Sequence, residues 1–173
     1  MSEKHHLLAL LRHARAEPEQ SPESDRERPL SLYGMTSARK LSHWLKANNL
    51  YFDRALVSAA QRTRETDDMA LDGSFVAERM DLPELYHTDM PGLWRALSTH
   101  GAERTLVVGH NPTMHQACTW LAKRPHAWEN HLALSLPPGG FALFSLSQPI
   151  SGTPLPASAE LLMFTTVDQL ENS

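Results

Sequence analysis

The sequence predicts an α/β fold, a three-layer sandwich in which a mainly parallel sheet is flanked by helices. Three observations carry this. Short apolar runs suited to strands buried on both faces alternate with longer segments of helical periodicity. The chain has 173 residues, about the size of one average domain. Its 41% hydrophobic and 21% charged residues match ordinary globular usage, with enough apolar side chains to build a core. We therefore expect residues 1–173 to form a single domain without a large cap insertion.

The first strand is Leu7–Leu11, a continuous apolar run that stops abruptly at Arg12-His13. Ala16–Arg28 is polar, holds Pro18 and Pro22 and lacks periodicity, so it reads as a surface loop. From Ser31 the residues Leu32, Met35, Ala38, Leu41 and Leu45 recur at helical spacing up to a stop at Asn48-Asn49. Ala55–Val57 is a short second strand, and Gln61–Ala70 a helix of long polar residues with Ala and Met. Phe75–Ala77 reads as a short edge strand, Pro91–Thr99 as a helix, and Thr105–Val108 as a fully apolar strand closed by Gly109-His110. Asn111-Pro112 opens a further helix over Met114–Ala122, with Asn as N-cap and Pro at the first helical position. Phe141–Leu146 and Leu161–Val167 form a hairpin-like pair at a sheet edge, joined by Gln148–Ser158, and Gln169–Ser173 is a polar tail.

With 16 Lys+Arg against 20 Asp+Glu the net charge is −4, so no overall cationic field recruits nucleic acid or an anionic membrane. Any anion site must be local. The single cysteine, Cys118, cannot form an internal disulfide and reads as a small buried hydrophobe. The apolar run near the N-terminus is too short for a signal sequence or a membrane span, and a cytoplasmic location is expected.

Three predicted strands end alike, in an apolar run followed by groups suited to an anion: Leu11-Arg12-His13, Val57-Ser58 leading to Gln61-Arg62, and Val108-Gly109-His110-Asn111. In an open parallel sheet the carboxyl ends of the strands share one edge, where ligands bind. Two of these segments feed helix N-termini, whose free N–H groups favour phosphate. The set contains two guanidiniums that can grip phosphate oxygens and two imidazoles that titrate near neutrality. A neutral imidazole can attack phosphorus while arginines stabilise the equatorial oxygens, so a covalent phosphohistidine forms without a metal.

Leu10-Leu11-Arg12-His13-Ala14, Ser58 to Thr66 and Val107-Val108-Gly109-His110-Asn111-Pro112 together resemble the histidine phosphatase superfamily. Asp25-Arg26-Glu27-Arg28-Pro29-Leu30-Ser31-Leu32-Tyr33-Gly34 resembles the D-x-x-R-P-L-[TS]-x-x-G pattern of its SixA-type phosphohistidine phosphatases. The resemblance implies a phosphoglycerate mutase-like fold. It makes His13 the phosphorylated nucleophile, Arg12 and Arg62 phosphate clamps, and His110 the second pocket imidazole. It also implies Glu84 as the candidate general acid, with Asp25 and Arg28 as further candidates near the pocket mouth. Arg28 and Asn111 are candidate substrate-binding residues. Ala14 stands where the superfamily usually has Gly, and slight strain is expected there if that Gly serves a close backbone approach or a positive φ.

The other histidines, His5, His6, His43, His87, His100, His115, His126 and His131, have no motif around them and read as surface or incidental core groups. Arg64 and Glu65 read as solvated charges or an ion pair. Trp44, Trp94, Trp120 and Trp128 are dispersed, as core packing requires and base stacking does not. His110 and His115 lack the spacing of a zinc helix, so neither metal nor cofactor is expected. The implied activity is a metal-independent phosphatase acting on protein phosphohistidine, as in histidine phosphotransfer signalling domains. The alternatives are a phosphatase for small phosphate monoesters and an inactive phospho-ligand binding module.

Overall fold

The computed structural model describes residues 6–73, 75–123 and 136–171. Strands β1 (His6–Arg12), β2 (Phe52–Ser58), β3 (Val76–Leu82), β4 (Arg104–Gly109), β5 (Phe141–Leu146) and β6 (Glu160–Thr165) form one six-stranded sheet. Its order is β3-β2-β4-β1-β5-β6. The pairs β3-β2, β2-β4 and β4-β1 are parallel, whereas β5 and β6 add antiparallel at one side. Helices α1 (Leu32–Ala47), α2 (Gln61–Leu71), α3 (Met90–His100), α4 (Thr113–Leu121) and α5 (Val167–Glu171) cover the faces. Among the described residues no helix is long and apolar enough to cross a membrane.

The continuous apolar strands are explained by burial on both sides. Successive side chains point to opposite faces, so Leu8 and Leu10 join Leu56 and Val107 beneath α3 and α4, while Ala9 and Leu11 join Val57 and Val108 beneath α1 and α2. Two apolar layers on one sheet give the three-layer architecture. The Cys118 thiol lies in the α3–α4 layer, where complete burial pushes its pKa up to about 12. It is inert packing.

Several elements differ from expectation. β2 and β3 each run seven residues, longer than the apolar cores Ala55–Val57 and Phe75–Ala77, because ladder pairing recruits flanking polar residues such as Arg54 opposite Glu78. The loop Ala16–Arg28 contains a 3-10 turn over Pro22–Glu27. α4 begins at Thr113, so Pro112 and not Asn111 takes the N-cap, after a cis Asn111-Pro112 bond, while the Asn111 carboxamide accepts from the His115 N–H at 3.2 Å. β6 stops at Thr165, and Val167–Glu171 forms α5 instead of a strand end and tail. There Leu170 packs on the α1 side and Glu171 pairs with Lys40. Leu32, the first residue of α1, is 80% exposed, and Trp120 is also exposed. Trp128, His126, His131 and His5 lie outside the described residues.

Candidate active site

Ladder register brings the three motif-bearing strand ends together. Arg12 stands opposite Gly109 across β1-β4, and Val57 opposite Val108 across β2-β4, so Ser58, His110 and His13 leave the sheet at one edge. The backbone there is pinned. The His13 N–H donates to the Gly109 carbonyl at 3.1 Å, and the Gly139 N–H donates to both the Arg12 and His13 carbonyls. Gly139 adopts φ +75, a conformation that favours glycine. Gly34 serves a close approach: a Cβ there would collide with the Arg15 backbone, just past His13. Ser31 caps α1 through the Gly34 N–H and donates to that same Arg15 carbonyl. The Pro-Leu-Ser-x-x-Gly stretch thus buttresses the segment that follows His13.

Ala14 carries none of the strain that a positive φ would bring. Its φ is not positive, it is fully buried, and its N–H donates to the Thr66 hydroxyl at 3.0 Å. Thr66 in turn donates to the Arg62 carbonyl, tying α2 to the residue after His13.

The site brings together Arg12, His13, Arg62 and His110. The His13 and His110 rings lie 5.2 Å apart between centroids. His13 is 8% exposed, deeper than a solvent-facing crevice implies, and its Nδ1 is 2.7 Å from the Ala14 carbonyl. A carbonyl only accepts, so Nδ1 carries the proton and Nε2 keeps its lone pair. Burial, with Arg62, Arg12 and Arg28 nearby, lowers its pKa to about 4 against the opposing Ala14 bond. His110 is lowered to about 3 by burial, then by His13 and Arg62. Its Nδ1 faces the Arg62 guanidinium at 3.4 Å, and its Nε2 lies 2.7 Å from the Ser58 hydroxyl. Since the guanidinium can only donate, His110 Nδ1 accepts and Nε2–H donates to Ser58. Both imidazoles are neutral at physiological pH.

Arg62 sits in the first turn of α2 and is 5% exposed. It donates from Nη1 to the Asp25 carbonyl at 2.6 Å and from Nη2 to the Asp25 carboxylate at 3.1 Å. Arg12 donates to the Leu136 carbonyl at 3.0 Å. Arg12 Nε, Arg62 Nε and Arg28 Nε are buried N–H groups with no hydrogen-bond partner among the described residues. Arg28 pairs with Asp25 at 2.9 Å, and Asn111 donates to the Leu136 carbonyl beside Arg12. A cavity of about 320 Å³ opens beside Arg62, His110, Asn111 and Thr113.

Glu84 stands apart from this group. It is exposed on a 3-10 turn, Pro83–Leu85, and lines a neighbouring hollow with His87, Asp89 and Arg95. The carboxylate in the pocket belongs to Asp25. Burial would raise its pKa, but the Tyr86 hydroxyl, Arg62 and Arg28 outweigh this and hold it below the ordinary value. Sequence reasoning missed Tyr86, whose hydroxyl donates to Asp25 at 2.6 Å and whose ring meets His110 edge-on. It also missed Ser58 as the partner of His110; its place at a strand end beside the second motif was the available signal. Glu65 is no free charge, since it accepts from the Leu30 N–H at 2.7 Å. The His87 ring packs against Tyr86, tilted at 46° with centroids 3.9 Å apart, and so borders the site.

No protein-family model matches the chain, and no curated protein does. Solved structures do. A Nakamurella multipartitia protein named as a phosphohistidine phosphatase SixA is 25% identical, with a TM-score of 0.79 over 94% of this chain and 96% of its own. A protein histidine phosphatase SixA complexed with tungstate gives 22% and 0.73 over 95% and 99%. The alpha-ribazole phosphatase of Shigella flexneri gives 16% and 0.58 over 93% and 96%. In fold, over nearly its whole length, the chain is similar to SixA phosphohistidine phosphatases and related members of the histidine phosphatase superfamily, which its motifs also resemble.

Proposed function

We propose that this chain is a metal-independent phosphatase working through a phosphohistidine on His13, and that its substrate is phosphohistidine carried by a protein such as a histidine phosphotransfer domain. One observation carries the reading: His13 is a buried neutral imidazole whose Nδ1–H is held by the Ala14 carbonyl, leaving the Nε2 lone pair beside Arg12, Arg62 and His110. In the first step Nε2 attacks phosphorus, a P–N bond forms on His13, and the bond from phosphorus to the leaving imidazole breaks. The leaving imidazole takes up a proton from solvent. Water then attacks phosphorus, the P–N bond to His13 breaks, and inorganic phosphate leaves with His13 neutral again. Arg12 and Arg62 neutralise the charge on the equatorial oxygens, the task a metal performs in other phosphoryl-transfer sites.

The similarity to SixA structures supports the substrate class, and the tungstate complex of one of them is consistent with a site for tetrahedral oxyanions. A departing imidazole needs less protonation than an alkoxide, which fits a pocket whose carboxylate is held ionised. The test is hydrolysis of a phosphohistidine protein, a phosphohistidine peptide and common sugar phosphates side by side. The protein substrate should show the largest kcat/KM. Preference for a sugar phosphate overturns the substrate assignment, and no turnover of any of them leaves a binding module.

A further inference from the structure

We propose that Tyr86 is a positioning residue for Arg62: through Asp25 it fixes which edge of the guanidinium faces His110 and the phosphoryl group. This rests on the phosphatase reading above. Asp25 receives one N–H from each terminal nitrogen of Arg62, at 2.6 Å on its carbonyl and 3.1 Å on its carboxylate. That occupies the end of the fork. The Nε edge is left, with Nε unbonded among the described residues and Nη2 turned toward His110 Nδ1 at 3.4 Å. Which edge reaches the substrate is thus decided by where Asp25 stands.

Asp25 does not hold that place unaided. It belongs to the 3-10 turn of a surface loop, and its other oxygen is drawn by Arg28 at 2.9 Å. Arg28 is much the more exposed of the two arginines, 25% against 6% at the side chain. The Tyr86 hydroxyl donates at 2.6 Å to the oxygen that faces Arg62, so it opposes that pull. A carboxylate already paired with two guanidiniums needs no neutral donor for charge balance; what the phenol adds is direction.

Tyr86 is itself well anchored for the task. It follows the Pro83–Leu85 turn, across the site from the Asp25 loop. Its ring meets His110 edge-on at 5.7 Å and packs at a tilt against His87, while the guanidiniums of Arg62 and Arg26 lie over it at 5.9 and 5.8 Å. One side chain therefore touches His110, Arg62 and Asp25 together.

The test is a double-mutant cycle of Tyr86→Phe and Asp25→Ala, read in turnover and in tungstate affinity by calorimetry. Tyr86→Phe keeps the ring and should lower kcat/KM about tenfold, chiefly in kcat, the size expected for a hydrogen bond to a charged group. Tungstate affinity should fall about fivefold by the same argument. With Asp25→Ala already present, the further loss should be under about twofold, because the hydroxyl acts only through Asp25. Where Tyr86→Phe does not fold in a thermal melt, Tyr86→Met removes the hydroxyl with the same expectation. Equal losses in both backgrounds, or wild-type behaviour of the single variant, overturn the proposal. If wild-type protein turns over no phosphorylated substrate, the phosphatase reading fails and the tungstate cycle still decides the role of Tyr86.

Discussion

Replacing Arg62 separates the grip on the phosphoryl group proposed for it from its hold on the Asp25 loop. The side chain is 5% exposed and makes two hydrogen bonds to Asp25 and one long contact to His110. In Arg62→Ala the site loses one preorganised cation, and kcat should fall about 10²–10³-fold. Two charge-assisted bonds to Asp25 are lost as well, but Arg28 and Tyr86 remain on that carboxylate. The stability loss should therefore be about 2 kcal/mol, below the sum of two such bonds. Arg62→Lys restores a charge but not a planar fork that spans the Asp25 carbonyl, its carboxylate and the substrate. Its kcat should stay within about tenfold of the alanine variant. Steady-state hydrolysis and urea unfolding of the three proteins decide the matter. Near-normal kcat in Arg62→Lys, with the alanine defect confined to stability, would make Arg62 a loop tie outside the reaction.

Four more outcomes follow from titration and placement. With His13 held at about 4 and His110 at about 3, the acid limb of kcat/KM should fall near pH 4 instead of near the ordinary imidazole value, and a limb near 6.5 would refute neutral, buried imidazoles. Unfolding frees both rings to bind protons near 6.5, so the unfolded state binds more protons below that pH and stability should drop as pH falls from 6.5 toward 4; replacing both by Gln should flatten the slope in urea titrations. Asp67 has the opposite sign: burial raises it to about 6 against the pull of Arg79, so its stabilising share is present below the unfolded value near 3.8 and is lost as pH rises through 6. Asp67→Asn should gain about 1–2 kcal/mol over wild type at pH 8 and little at pH 4; a net loss at pH 8 would show that the Arg79 pair dominates. Glu84→Gln should lower turnover of phosphohistidine less than about tenfold, whereas a loss of about 10²–10⁴ would make Glu84 the general acid despite its place in the neighbouring hollow.

The part of this site that could be read in the sequence is the part fixed by strand ends. Arg12, His13 and His110 follow apolar runs directly, and Arg62 falls in the first turn of a helix after such a run, so parallel pairing was enough to bring them together. Asp25 and Tyr86 were another matter. They reach Arg62 from 37 residues before and His110 from a turn after β3, and no local period marks a contact between two irregular segments. Glu84 drew attention as the acidic residue near that position, yet its neighbour two residues on faces the pocket. The same distinction holds in the fold. Leu8 to Leu11 announced a strand buried on both faces, whereas α5 is short and polar and is held by Leu170 and the Lys40–Glu171 pair, contacts far apart in sequence.

The central claim is that phosphorus is transferred to His13, and acid-free mass spectrometry of protein quenched during turnover tests it most directly. One added phosphoryl group on His13, absent from His13→Ala and lost on mild acid treatment, is the predicted result. A phosphoryl group on serine or on another histidine, or turnover that persists in His13→Ala, would contradict it.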